Sequence, residues 1–599
     1  MQKPGAALVS TMLIGIAALC LCIAMLAISL SRGLNLADEG LYVYLLMHPT
    51  APMPFMDTFV WGSMTKALNL NLVEVRWLTL VLLLSSSAAL CVAVLGSLGG
   101  SVSAAQKRDL WGIAPVFTLL GALLYYTANR PTVSYSFTII LACNVFACAM
   151  FAAHGLRRHL RLPFELLAGA MVALAFTARP PSAVLLIAWQ VLFGVIMDRS
   201  PGWAWRLLRS VPVTAASAFV VLGFAVLLGY DIKGQLTLAS ALVRTSHTFH
   251  DLARIDVPYG AAIILAAMAG AAAYLFWQKR NGAAAQKNSG MLVLIAVAIA
   301  SLSAVVQLAL AGALVPAPQQ QNVFATNYAL KSWGPAMHAA ALCWLLVAAV
   351  PVFGKRLPVA RNLISTIPDR PAVLAVQTAL LLYLLCPLSQ FGTNTGLWHR
   401  SIISMGPLFL AVALLIWDFG RRGLLRAWQM PSLVLMVSLP VAANIYANQI
   451  GDPCGLNGSI WKQTVELNRP AFLSGLLVSP QLIGARNELE RELAAARFDR
   501  GHDVLLPGPS RIGLVDLTGS TALGNGWYFD YDDAQAWNCT VIAMGLRQPH
   551  RRIFVVDPTD LFEYSQPCIS GFRLGKRTGK WVTELIPIRE FVRAKRNTP

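Results

Sequence analysis

A run of about 20 apolar residues must either cross a bilayer or be buried on every side. This chain of 599 residues contains thirteen such runs. They cover approximately 6–30, 73–98, 111–127, 134–154, 163–178, 181–198, 210–230, 258–277, 290–314, 335–353, 371–390, 401–419 and 430–448. Composition agrees, since 13% of the residues are charged and 56% hydrophobic, whereas soluble domains carry about 25% charged residues. An ordinary soluble enzyme is therefore excluded. The net charge of +19 is set by basic residues lying between the apolar runs, where they mark membrane helix ends, so no nucleic-acid partner is expected.

The distribution of those basic residues sets an orientation. With the N-terminus and Lys3 in the cytoplasm, the even-numbered connections are short and basic, carrying Lys107 and Arg108, Arg157, Arg158 and Arg161, Arg199, Arg206 and Arg209, Lys279, Arg280 and Lys287, Lys355, Arg356, Arg361 and Arg370, then Arg421, Arg422 and Arg426. The odd-numbered connections are longer and poorer in positive charge, and by parity the tail beyond Asn448 lies outside. The first run is too long for the apolar region of a signal peptide, and no small-residue cleavage site precedes Asp38, so an uncleaved start is expected. Runs five and six are separated only by Ala178-Arg179-Pro180-Pro181. A re-entrant or broken pair is open there.

Charge also divides the chain into domains. Of 47 Lys and Arg and 28 Asp and Glu, 18 and 16 respectively lie from Gln449 onward. Residues 1–448 thus read as a polytopic α-helical membrane domain, with a first outer loop at 31–72, and residues 449–599 as a soluble α/β domain large enough for its own core. Its predicted elements are a helix at 487–497 and strands at 503–506, 512–517, 540–544, 553–557 and 581–586. Cys454, Cys539 and Cys568 in this tail permit one disulfide with one thiol left over if the compartment is oxidising. No CxxC or metal-ligand spacing is present, no cofactor is implied, and a divalent metal is left open.

Only groups on one side of a membrane can share a site. The outward acidic residues of the membrane domain are Asp38, Glu39, Asp57, Glu74, Asp231, Asp251 and Asp256. Asp109, Asp198, Asp369 and Asp418 face inward among Arg and Lys and read as charge-balancing residues at helix ends. The most informative segment is Ala37-Asp38-Glu39-Gly40-Leu41-Tyr42-Val43-Tyr44, followed by His48-Pro49 and by Pro54-Phe55-Met56-Asp57. From there to Leu72 the composition suits short interfacial helices. Two roles are open to Asp38: a helix cap, with Glu39 favourable at the helix's positive end, or a catalytic carboxylate.

An acidic pair followed by small and aromatic residues, directly after the first apolar helix of a chain with many spans and a C-terminal outer domain, resembles the GT-C glycosyltransferases. These include the protein O-mannosyltransferases, the lipid A aminoarabinose transferases and the mycobacterial arabinosyltransferases. The Lys-Pro-Pro run that several relatives carry later in this loop is absent. The resemblance implies a bacterial inner-membrane enzyme acting on the periplasmic face. Its donor would be a polyprenyl-phosphate monosaccharide, its acceptor the hydroxyl of a glycan, lipid or protein, and its catalytic base Asp38.

Chemistry supports such a donor. Nucleotide sugars are not expected outside the cytoplasm and no Gly-rich phosphate loop is present, so a sugar must arrive on membrane lipid. Transfer to a hydroxyl needs a carboxylate about 3 Å from the acceptor oxygen and cations for the departing phosphate. Asp38 is the candidate base. Glu39, about 100° away on a helix, would orient Asp38 or a sugar hydroxyl, and Asp57 is held in reserve. Tyr42 and His48 are further candidate contacts in this loop. For the phosphate the outward cations are Arg130, Arg179, Arg244, Arg254, Lys331 and His399-Arg400, each of which could instead be an interfacial snorkel. Lys331, His399 and Arg400 are preferred. Arg76, two residues after Glu74, is expected to be ion-paired. Gln319-Gln320-Gln321-Asn322 reads as a solvated loop or a cover, and Trp527-Tyr528-Phe529-Asp530-Tyr531-Asp532-Asp533 as a sugar-stacking patch or a docking face. A glycan polymerase or ligase is the competing enzyme class. A lipid or solute transporter is disfavoured by the scarcity of ionisable groups in mid-span and of visible inverted repeats.

Overall fold

The computed structural model describes residues 4–51, 53–55, 57–99, 102–127, 132–154, 156–198, 203–245, 262–274, 323–353, 369–391, 400–423, 429–451, 459–509, 511–528, 535–549, 552–556 and 566–587, with isolated positions between them. Among these, nine helices are long and apolar enough to cross a membrane: Leu8–Leu30, Leu72–Leu98, Ala104–Thr127, Tyr135–Ala153, His159–Ala178, Pro180–Met197, Ala204–Leu227, Arg370–Leu388 and Gln429–Gly451. Two shorter apolar helices are Ala262–Tyr274 and Gly334–Ala349. The expected run at 290–314 lies outside the described residues. The run at 401–419 is not one uniform span: a 3-10 turn, Ser401–Ser404, precedes the helix Gly406–Arg421, with Pro407 in that helix's first turn where its missing N–H costs no hydrogen bond.

The opening elements are α1 (Pro4–Leu30), α2 (Asp38–Met47), α3 (Asp57–Ala67) and α4 (Leu72–Leu98). Both α2 and α3 are too short to cross and lie in the connection that the charge pattern assigns as the first outer loop. Helix α4 starts at a capping box. The Asn71 side chain accepts from the Glu74 amide at 3.0 Å while the Glu74 carboxylate accepts from the Asn71 amide at 2.8 Å. Glu74 is thereby committed to its own helix end. Next come α5 (Ala104–Leu123), α6 (Tyr135–Ala153), α7 (Arg158–Ala178), α8 (Pro180–Met197), α9 (Trp203–Leu227) and α10 (Ile232–Thr245). The turn between α7 and α8 is a single residue: Arg179 is extended at φ −160°, ψ 95°, because the prolines behind it disfavour a helical conformation there while Pro180 suits the first turn of α8. Three of the four acidic residues that the charge pattern assigned to the inner side are ion-paired: Asp198 with Arg206, Asp369 with Arg421, and buried Asp418 with Arg421 and Arg422.

The C-terminal segment contains a four-stranded sheet in the order β3-β4-β6-β5, where β3 (Val504–Pro507) and β4 (Ile553–Val556) are parallel and β5 (Phe572–Arg577) and β6 (Val582–Pro587) complete it antiparallel. A two-stranded ribbon, β1 (Val465–Glu466) with β2 (Leu477–Val478), precedes it. Two of the strands expected from sequence are helices instead. Residues 512–517 form the helix Ile512–Thr518, buried along its whole length and closed by Gly519 at φ 65°, so its side chains show no polar face to reveal a helical period. Residues 540–544 belong to the helix Gln535–Gly545, which buries Trp537, Val541 and Ile542 at helical spacing despite its β-branched residues. Strand β5 was not anticipated. Cys539 and Cys568 form a disulfide, and Cys454 lies outside the described residues.

One core extends through the helix bundle. A second joins the first outer loop to the C-terminal sheet, where Leu41, Val43, Tyr44, Leu45, Met53 and Phe55 pack with Leu505, Ile512, Leu514, Val515 and Phe554. Closest approach is at Gly40 and Gly513. A Cβ on Gly40 would lie 2.7 Å from the Gly513 nitrogen, and that N–H donates to the Leu36 carbonyl at 2.9 Å. The Tyr44 hydroxyl accepts from the Ala522 amide at 3.2 Å. The loop and the C-terminal sheet are thus one folded body around α2.

Candidate active site

Asp38 opens α2, but the cap position is Ala37 and no side-chain cap hydrogen bond is made there. The capping role that the sequence left open is therefore not taken, and the Asp38 carboxyl is not tied to the helix end. Glu39, one helical step away, turns inward. Its Oε1 meets Arg76 Nη2 at 2.7 Å and accepts a short hydrogen bond from Thr132, while its Oε2 accepts from the Asn35 amide at 3.1 Å. Arg76 in turn donates to the carbonyls of Leu30 and Gly33, both at 2.8 Å. Arg76 is ion-paired, with Glu39 and not with its sequence neighbour Glu74. These contacts pin the end of α1 and the start of α2 to α4.

Asp38 itself is solvent-accessible, yet burial by surrounding protein raises its carboxyl above the ordinary 3.8, partly offset by the positive charge of Arg400. Tyr42, one turn further along the same face of α2, is close enough to feel the charges of Asp38, Arg400 and Asp57, and burial holds its phenol protonated.

From Tyr42 a row of rings continues. Its ring lies 6.2 Å from Tyr135 and 6.5 Å from Phe55, Phe55 lies 4.9 Å from Tyr135, and Trp527 of the C-terminal segment meets Phe55 edge-on at 5.5 Å. At the other end of the row the Arg179 guanidinium lies 4.9 Å from the Tyr135 centroid.

Arg179 is 5% exposed. Its Nη1 donates to the Ser389 carbonyl at 3.2 Å, and its Nη2 is buried without a hydrogen-bond partner. Desolvation lowers it to about 10, with the neighbouring charge of Arg400 acting in the same direction. Arg400 precedes the 3-10 turn Ser401–Ser404 and leaves its own Nε without a partner. Two guanidiniums thus stand close enough to repel, each with a donor nitrogen that lacks a partner.

Asp57 is fully buried at the start of α3, where Thr138 Oγ1 donates to its Oδ2 at 2.6 Å and accepts from Trp61 Nε1 at 2.8 Å. Burial pushes its carboxyl up to about 6, against the Thr138 hydrogen bond and the charge of Arg179. His48 is not brought to Asp38. It follows the far end of α2, about 15 Å along the helix at 1.5 Å per residue, with its ring 4.5 Å from Tyr44, and burial lowers its imidazole. Arg130, His399 and Arg254 lie outside the described residues, as do Gln319–Asn322 and Phe529–Asp533, and so do the side chains of Lys331 and Arg244.

Arg179 was one cation among several in the sequence, and the signal that distinguishes it is the Pro-Pro pair holding it in the break between two spans. Tyr135, two residues after Val133 at the start of α6, carried no such signal. Among the described residues no group of three or more His, Cys, Asp or Glu is arranged to hold a metal.

No protein-family model matches the chain, and no curated protein matches it. Two solved structures of ArnT from Cupriavidus metallidurans align with it. The form bound to undecaprenyl phosphate aligns over 95% of this chain and 97% of that one, at 13% identity and a TM-score of 0.39. The apo form aligns over the same shares at 11% identity and a TM-score of 0.41.

Proposed function

We propose that this chain is an integral membrane glycosyltransferase that moves a monosaccharide from a polyprenyl-phosphate carrier to a hydroxyl acceptor on the periplasmic face of a bacterial inner membrane. The observation that carries the reading is the chain of charges from an accessible Asp38 to Arg400, which feel one another, and from Arg400 to the buried, under-bonded Arg179. In the reaction the acceptor O–H gives its proton to Asp38 as its oxygen bonds to the anomeric carbon. The bond from that carbon to the phosphate oxygen breaks on the opposite side, and the electron pair leaves with the polyprenyl phosphate. Arg179 and Arg400 hold the charge that develops there. Desolvation makes Asp38 a stronger base, and a phosphate leaving group needs no general acid.

Two further observations support the outward placement. The first outer loop and the C-terminal sheet share a core, so they occupy one side of the membrane, and the odd-numbered connections by charge are the external ones. The Cys539–Cys568 disulfide suits an oxidising compartment.

The test is Asp38→Asn in the purified, lipid-reconstituted protein, assayed for sugar transfer from a polyprenyl-phosphate donor and for undecaprenyl phosphate binding. Transfer should fall at least about 10³-fold, the scale of a lost general base, while carrier binding and melting temperature are retained. Full activity in that variant removes Asp38 from the mechanism.

A further inference from the structure

The row of rings beside Asp38 is built by three distant parts of the chain. Tyr42 and Phe55 come from the first outer loop and Tyr135 from the start of α6. Trp527 comes from the C-terminal segment, where its amide donates to Asn525 Oδ1 at 3.0 Å and its carbonyl accepts from Trp537 Nε1 at 2.8 Å. Phe55 is 8% exposed and serves as the packed centre, whereas Tyr42, Tyr135 and Trp527 around it each keep part of their surface open. Rings meant only to dock one body on another would be closed over. The row is also polarised, since the Arg179 guanidinium lies on Tyr135 at one end and Trp527 stands at the other.

We infer that Trp527 is a binding residue for a saccharide ring of the acceptor, presented by the C-terminal segment at the end of the aromatic group away from Arg179. The apolar C–H face of a pyranose or furanose stacks on an aromatic ring, and its hydroxyls need polar partners at the edge, which the Tyr42 and Tyr135 phenols offer. The donor's phosphate belongs beside Arg179 and Arg400, so the ring farthest from them faces the incoming partner. An isoprenoid tail fits this place less well, because Trp527 belongs to the segment carrying the C-terminal sheet and not to any apolar span. The assignment rests on the reading of Asp38 as the base, but its test does not use transfer activity.

The experiment takes the full chain in lipid nanodiscs and presents methyl glycosides of a hexose, an N-acetylhexosamine and a pentose, followed by saturation-transfer NMR, with undecaprenyl phosphate binding measured by calorimetry in parallel. At least one glycoside should receive saturation at its ring C–H protons from the wild type. Its affinity should fall about 5- to 10-fold in Trp527→Ala, the size of one lost stacking contact. Trp527→Phe should retain it. Trp527→Leu keeps apolar bulk against Phe55 and Trp537 without offering a ring, and should lose the contact at an unchanged melting temperature. Undecaprenyl phosphate binding should be the same in all four proteins. Absence of saturation transfer in the wild type, undiminished transfer in Trp527→Leu, or weakened carrier binding in that variant would each overturn the assignment, the last by giving the row to the lipid tail. Asp38→Asn with full transfer activity would instead defeat the catalytic reading, and with it the assignment of the sugar to the acceptor, while leaving the glycoside contact at Trp527 measurable by itself.

Discussion

Glu39 and Arg76 form an ion pair at 2.7 Å with side-chain exposures of 1% and 0%. An isolated charge at such a site is costly, whereas removal of both partners together costs much less. Glu39→Gln and Arg76→Met are each expected to destabilise the protein by about 3–5 kcal/mol, with the double variant recovering a large part of the loss. Thermal melting in detergent measures this, and a Glu39→Gln protein that melts like the wild type contradicts it.

In the proposed mechanism Asp38 works as a base only when ionised, and desolvation holds its carboxyl above the ordinary 3.8. Transfer activity should therefore fall as pH falls, along an acid limb lying above that of an exposed aspartate. Arg400 is the charge that opposes the shift. In Arg400→Gln the limb should move further toward neutral pH, as read from kcat/KM profiles of the two proteins, and a limb moving the other way would show that Arg400 does not face Asp38.

Arg179 and Arg400 are assigned to the same phosphate. Charge-assisted hydrogen bonds are each worth about 1.5–3 kcal/mol, so Arg179→Met should weaken undecaprenyl phosphate binding by about 10- to 100-fold. Because both groups act on one anion, the double variant should lose less than the product of the single losses. Calorimetry on the three variants decides this.

Asp57 illustrates the opposite use of burial. Its folded-state value of about 6 lies above the ordinary 3.8, so folding favours the protonated form. The stability cost of holding it ionised is absent at low pH, grows as pH rises through that interval, and is complete above about pH 6. Asp57→Asn, which still accepts from Thr138, should melt like the wild type near pH 4 and be more stable at pH 7, by about 2–3 kcal/mol for a shift of this size. Melting curves at the two pH values check the sign.

The membrane character, the short helices after the first span and the start of one of them at Asp38 were legible in the sequence because each depends on local composition. Apolar runs report spans directly, and an acidic pair just beyond one is conspicuous against an apolar background. What escaped was set by partners far along the chain. Glu39 and Arg76 are 37 residues apart, and nothing near either shows that they meet. The Ile512–Thr518 helix reads as a strand because it is buried on all sides. Tyr135, Arg179 and Trp527 converge only through the fold, and each taken alone is an ordinary aromatic or an interfacial cation.

The seat of Gly40 on Gly513, and of the Tyr44 hydroxyl on Ala522, joins residues 478 positions apart in the latter case. Helix α2 leaves the ribosome early, but the surface it packs against is made near the end of translation. The carboxylate that begins this helix therefore cannot take its place in the folded protein in a nascent or prematurely terminated chain, and the seat of α2 is complete only with the final quarter of the polypeptide.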